Sequence, residues 1–70
     1  MNKNFTYEDV IVRCGYFMDK RNVSAYDLSL KLGHSQNYIY KIQSGRIKLT
    51  VNTLLEILEI LEVSTSEFFS

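Results

Sequence analysis

Leu28-Ser-Leu-Lys-Leu-Gly-His-Ser-Gln-Asn-Tyr-Ile-Tyr-Lys-Ile-Gln-Ser-Gly-Arg-Ile-Lys48 is the stretch that decides the fold of this 70-residue chain. Its pattern predicts the end of one helix, a tight turn at Gly33, a second helix capped by Ser35 and ended by Gly45, and a basic loop. The stretch contains no acidic residue, although the whole chain has eight basic and eight acidic residues. A positive surface on a neutral chain indicates a partner that carries phosphate.

Helical periodicity extends over the rest of the chain, and no segment shows the sustained alternation of a strand. The first helix should run from an N-cap at Thr6 to Asn22, with Gly15 marking close packing against a neighbour. Further helices are predicted at 25–32 and 51–62, and a short one follows Ser64. Three capping-box spacings support these starts: Thr6 with Asp9, Ser24 with Asp27, and Ser64 with Glu67. The sequence therefore predicts five helices and no sheet.

Length and composition exclude several classes of protein. Seventy residues suffice for one small domain, expected to span 1–70. The chain has no apolar run of about 18 residues for a membrane span, and it does not begin with an apolar leader. Cys14 and His34 are the only residues of their types, so neither a disulfide nor a metal site is expected, and Cys14 should fill core space. These features predict a cytoplasmic protein without a cofactor.

The run from Val23 to Phe69 resembles the Cro/XRE-type helix-turn-helix DNA-binding domain of phage repressors and bacterial regulators. The resemblance implies a compact, all-α, five-helix lambda-repressor-like domain with its helix-turn-helix at about residues 25–44. The residues that carry the likeness are Ser24, Leu28, Ser29, Lys31, Leu32, Gly33, Ser35, Ile39, Ile42, Gln43, Ser44, Gly45, Thr50, Leu54, Leu55, Leu58, Leu61, Val63, Ser64, Glu67, Phe68 and Phe69.

Four positions depart from the family pattern. Ser29 stands at the helix crossing, where alanine is usual, and Ala25 replaces a glutamine that anchors a phosphate. Met18 and Gln43 stand where the family often pairs an arginine with a glutamate. Losing one partner alone would strand a buried charge at a cost of about 3–5 kcal/mol, so the paired change supports the alignment.

The resemblance also assigns residues to a DNA surface. Base contacts are implied for Gln36, Asn37, Tyr40 and Lys41, since amides can pair with adenine and lysine with guanine. Phosphate contacts are implied for Ser24, Ser35, Tyr38, Arg46 and Lys48. The alternatives are that these are solvated polar residues, that Ser35 only caps its helix, and that Tyr38 packs against another helix.

The fourth helix carries more apolar side chains than one buried face requires. Leu54, Leu58 and Leu61 suffice for the core, and the core can also absorb Ile57 and Phe68. The surplus predicts a homodimer interface formed by Leu55, Ile60, Val63 and Phe69.

The predicted function is sequence-specific binding of double-stranded DNA by a small transcriptional regulator. We expect a repressor that acts as a homodimer without a small-molecule ligand. The alternative is a protein-interaction module, either antitoxin-like or a regulator's partner subunit, that uses its apolar C-terminal face; the zero net charge and Ala25 favour it. An enzyme is disfavoured because the sequence has no nucleophile–base pair, carboxylate pair or phosphate-binding glycine loop.

Overall fold

The structure is a computed structural model that describes residues 4–70. Its helices are α1 Tyr7–Arg21, α2 Ala25–Lys31, α3 Tyr38–Gln43, α4 Val51–Leu61 and α5 Thr65–Phe68. Residues 4–70 contain no strand, so the predicted all-α, five-helix fold is confirmed. Within the same range, no helix combines the length and the apolar character that crossing a membrane requires.

Side-chain caps begin four of these helices. The Thr6 hydroxyl accepts the Asp9 N–H and the Asp9 carboxylate accepts the Thr6 N–H, each at 3.0 Å, which completes a capping box. The hydroxyls that cap α2, α4 and α5 each accept an N–H three residues ahead, and they belong to Ser24, Thr50 and Ser64. Over residues 4–70 the reciprocal box is complete only at α1, so the boxes predicted at Ser24 and Ser64 are half formed.

The end of α1 is as predicted, but the packing role predicted for Gly15 is not found. Asn22 adopts the left-handed conformation that closes α1, with a φ of 58°. The expectation that Gly15 marks a close helix contact is wrong, because no atom beyond the neighbouring residues and backbone of α1 lies within 4 Å of the position that a Cβ would occupy. Gly15 therefore has no packing partner to offset its cost in a helix, about 1 kcal/mol relative to alanine.

The core lies where the five helices meet. Phe68 and Leu28 are fully buried, and the ring of Phe68 lies 5.8 Å from that of Phe17. Cys14 is also a core residue, as expected, and burial raises the pKa of its thiol to about 11. The remaining buried apolar residues are Met18, Ala25, Ile39, Ile42, Leu54, Ile57, Leu58, Leu61 and Val63.

Two arginines of α1 hold the C-terminal helices in place. Arg21 donates from Nε to the Leu61 carbonyl at 2.8 Å and from Nη2 to the Glu62 carbonyl at 3.3 Å. Arg13 donates in the same way to the carbonyls of Phe68 and Ser70. The last carbonyls of a helix have no partner within it, so these guanidinium groups satisfy the ends of α4 and α5 from a distant helix. Both arginines therefore have a structural role, since they link α1 to the C-terminal ends of α4 and α5.

Candidate nucleic-acid interface

The turn after α2 is closed by a Schellman motif. The Gly33 N–H donates to the Leu30 carbonyl at 2.9 Å, and the His34 N–H donates to the Ser29 carbonyl at 3.0 Å. Gly33 takes a φ of 81°, which glycine adopts without a steric penalty. The predicted glycine turn is confirmed, and it sends the chain sharply from α2 toward α3.

The start of α3 differs from the prediction. Regular helix begins at Tyr38, and Asn37 precedes it without a side-chain cap. Residues 36–37 form a turn in which the Tyr38 N–H donates to the backbone carbonyl of Ser35 at 3.1 Å. The assignment of Ser35 as a side-chain cap is therefore wrong. Gln36 and Asn37 lie in this turn, just before the helix.

A serine of α2 supplies the missing cap. Ser29 is fully buried, and its Oγ donates to the Ala25 carbonyl at 2.7 Å and accepts the Ile39 N–H at 2.9 Å. The Ile39 N–H lies in the first turn of α3, where backbone donors lack a partner within the helix. Ser29 thus makes the bond that an N-cap residue would make, and it ties α3 to α2. The signal in the sequence was a hydroxyl where alanine is usual.

Buried isoleucines orient α3 and leave one of its faces outside. Ile39 and Ile42 belong to the core, whereas Gln36, Asn37 and Tyr40 are exposed. Tyr40 has 53% of its surface exposed. The structure therefore brings three of the four predicted base-reading residues to the surface, around the start of α3.

Lys41, the fourth predicted base-reading residue, is half-buried and also anchors the loop that follows α3. Its backbone carbonyl accepts the N–H groups of Arg46 at 2.9 Å and Ile47 at 3.2 Å. The bond from Arg46, with one from Gly45 to Ile42, repeats the Schellman pattern at this second glycine. Arg46 itself is exposed, so the first cation of the loop extends from a fixed backbone.

The second cation of the loop rests against α1. The Lys48 Nζ lies 4.5 Å from the centroid of the Tyr7 ring, and the Tyr7 hydroxyl accepts the Leu49 N–H at 2.8 Å. A cation–π contact at an exposed site contributes about 0.5–1 kcal/mol. Tyr7 therefore fixes the basic loop against the start of α1, a role that sequence reasoning missed because 42 residues separate Tyr7 from Leu49.

Tyr38 packs against the turn before α3. Its ring stacks on the His34 imidazole with a centroid distance of 3.7 Å and an interplanar angle of 5°. Tyr38 is half-buried and packs on the core, while His34 is exposed. Ser24, another predicted phosphate contact, is exposed and caps α2 by accepting the Asp27 N–H at 3.0 Å.

The predicted dimer residues do not form one patch. Val63 is only 5% exposed and belongs to the core, so its assignment to an interface is wrong. Leu55 and Phe69 are exposed, at 47% and 41%, and Ile60 is half-buried against the core. Leu55 and Ile60 stand five residues apart in α4, which places them about 140° apart around its axis, on opposite flanks.

Comparison with known proteins agrees with this geometry. A family model described as helix-turn-helix matches residues 16–68 of the 70. The chain belongs to the helix-turn-helix family. The matched region includes both helices of the motif, α2 and α3, and the resemblance to Cro/XRE-type regulators is confirmed, so the protein is a DNA-binding transcription regulator in the general sense of that family. No curated protein and no solved structure matches the chain.

Proposed function

We propose that this helix-turn-helix protein is a repressor that binds a specific double-stranded DNA sequence as a homodimer. The observation that carries the proposal is the exposed set of Gln36, Asn37 and Tyr40 around the start of α3, held by Ile39 and Ile42 in the core. A helix start that protrudes from a fixed core fits the major groove, where each base pair presents a distinct pattern of hydrogen-bond donors and acceptors.

In this proposal the roles divide between bases and phosphates. Base edges are contacted by Gln36, Asn37, Tyr40 and Lys41. Amide side chains can pair with adenine, and lysine can donate to guanine. The phosphate contacts come from Ser24, Ser35, Tyr38, Arg46 and Lys48. The absence of acidic residues between Asp27 and Glu56 supports this division, since no carboxylate in that stretch repels the phosphates.

Selection of duplexes from a random pool, followed by sequencing, tests the base-reading part. Gln36→Ala should weaken binding to the selected site by about 1–3 kcal/mol and relax the preference at one position. Gln43→Ala is the matched control, because Gln43 is also exposed but lies at the far end of α3. Equal losses on selected and random duplexes would refute base reading by Gln36.

The salt dependence of binding tests the phosphate contacts. Arg46→Ala should lower the slope of log K against log salt by about one unit, with the preferred sequence unchanged. Lys20→Ala removes an equal charge from α1, near Tyr16, and should leave the slope unchanged. If both substitutions lower the salt slope equally, the effect comes from the net charge of the protein and not from a phosphate contact made by Arg46.

The homodimer proposal now rests on one flank of α4. Val51 and Leu55 are 72% and 47% exposed and stand four residues apart, so they share a face. A two-fold pair would place two α3 helices one DNA turn apart, about 34 Å. Leu55→Glu should dissociate the dimer in sedimentation, whereas Val12→Glu, at a 72% exposed site on α1, should not. A protein that is monomeric both free and on DNA would refute the dimer.

Repression is tested with a reporter gene whose promoter contains the selected site. Bound protein should lower transcription by blocking the promoter, and Gln36→Ala should restore it. An increase in transcription would identify an activator instead.

A further inference from the structure

His34 occupies a distinctive place in the turn between α2 and α3. It is the only histidine of the chain. Its backbone N–H is bound to the Ser29 carbonyl, and its exposed imidazole lies parallel to the Tyr38 ring at 3.7 Å. The backbone and the side chain of His34 therefore each have a fixed contact, and the imidazole lies beside the segment that we propose to contact DNA.

The charged residues nearest to this turn in the sequence are lysines. Lys31 ends α2, Lys41 lies in α3, and the sequence between Asp27 and Glu56 has no carboxylate. The α4 carboxylates that approach α2, those of Glu56 and Glu59, line a groove together with Lys31. The natural counter-charge for a protonated imidazole here is one that arrives from outside, such as a DNA phosphate.

We propose that DNA binding takes up a proton at His34 and that the imidazolium, held face-on by the Tyr38 ring, binds a backbone phosphate. The inference rests on the proposed function and adds a regulatory property to it. A cation over an aromatic face is stabilised by the ring, and a charged donor forms a shorter, stronger hydrogen bond to phosphate than a neutral one.

The direction of the pH effect follows from the charge. The protonated imidazole binds phosphate more tightly than the neutral one, so affinity rises as pH is lowered and falls as pH is raised. Cys14 does not contribute to the pH effect, because burial raises the pKa of its thiol to about 11, well above the range from pH 6 to pH 8.

Fluorescence anisotropy with the selected duplex, at constant ionic strength, tests the proposal. From pH 8 to pH 6 the unmodified protein should bind roughly five- to tenfold more tightly, and the salt slope should steepen by up to about one unit. His34→Gln should show neither the tighter binding at pH 6 nor the steeper salt slope. Tyr38→Phe keeps the ring and should retain the pH effect, whereas Tyr38→Leu should reduce it.

Two results would overturn the inference while leaving the proposed function intact. One is sequence-specific binding with the same affinity at pH 6 and pH 8. The other is a pH effect that persists in His34→Gln, which would assign the proton to another group such as the N-terminal amine. A protein that binds no duplex at any pH would instead refute the proposed function, and this inference with it.

Discussion

Replacing Ser29 with alanine should destabilise the protein by about 1–2 kcal/mol. The mutation removes the Oγ that accepts the Ile39 N–H at 2.9 Å and leaves that donor unsatisfied in a buried place. The prediction is informative because alanine is usual at this position in the family, so a purely family-based view predicts no loss.

The magnitude follows from the bond between the Ser29 hydroxyl and the Ile39 N–H. Loss of an N-cap bond costs about 1 kcal/mol, and a buried unsatisfied N–H costs about 1–3 kcal/mol; both figures describe the same event and are not added. The higher helix propensity of alanine offsets roughly 0.5 kcal/mol of this loss in stability. A net loss of about 1–2 kcal/mol lowers Tm by roughly 5–15 °C in a domain of this size.

Thermal unfolding and amide hydrogen exchange together give the assay. Ser29→Ala should lower Tm and should accelerate exchange at the Ile39 amide more than at amides of α4. Ser35→Ala is the matched control: Ser35 is exposed and only its backbone carbonyl contacts α3, so its Tm should change little. An unchanged Tm in Ser29→Ala, or an equal loss in Ser35→Ala, would refute the view that Ser29 caps α3.

Four further predictions concern α1. Gly15→Ala should stabilise the protein by about 0.5–1 kcal/mol in urea unfolding, because the added methyl group would meet no atom within 4 Å beyond the neighbouring residues and backbone of α1; a loss of stability would show a hidden contact. Arg21→Ala should cost about 1–2 kcal/mol by removing the donors to the Leu61 and Glu62 carbonyls, whereas Arg46→Ala should leave stability unchanged. Cys14 should react with a thiol reagent at pH 8 about a hundredfold more slowly in the folded protein than in urea, because its thiol pKa is raised from 9.0 to about 11; equal rates would contradict its burial. The same shift should lower the free energy of unfolding as pH rises from about 9 to 11, because the unfolded chain loses the thiol proton first.

The family assignment and the set of exposed polar residues were both accessible from sequence. Gln36, Asn37 and Tyr40 are exposed as the motif predicted, since Ile39 and Ile42 had to face the core. Their contacts with bases, and those of the five phosphate residues, stay predictions. The set of residues predicted for a dimer interface could not be obtained from the sequence, because a Leu/Ile-rich helix does not reveal which apolar residues its neighbours cover: Val63 is buried and Leu55 is not.

The sequence by itself determined several features that depend on residues within about five positions of one another. The Thr6 cap, the turn at Gly33 and the end of α1 at Asn22 all involve such local hydrogen bonds and backbone conformations. Only the tertiary structure decided how these pieces support each other. Ser29 caps a helix that begins nine residues later, Tyr7 holds the loop before α4, and Arg21 closes the end of α4. Such bonds form between groups that are brought together by burial of the core, and no local pattern in the chain records which helices will meet.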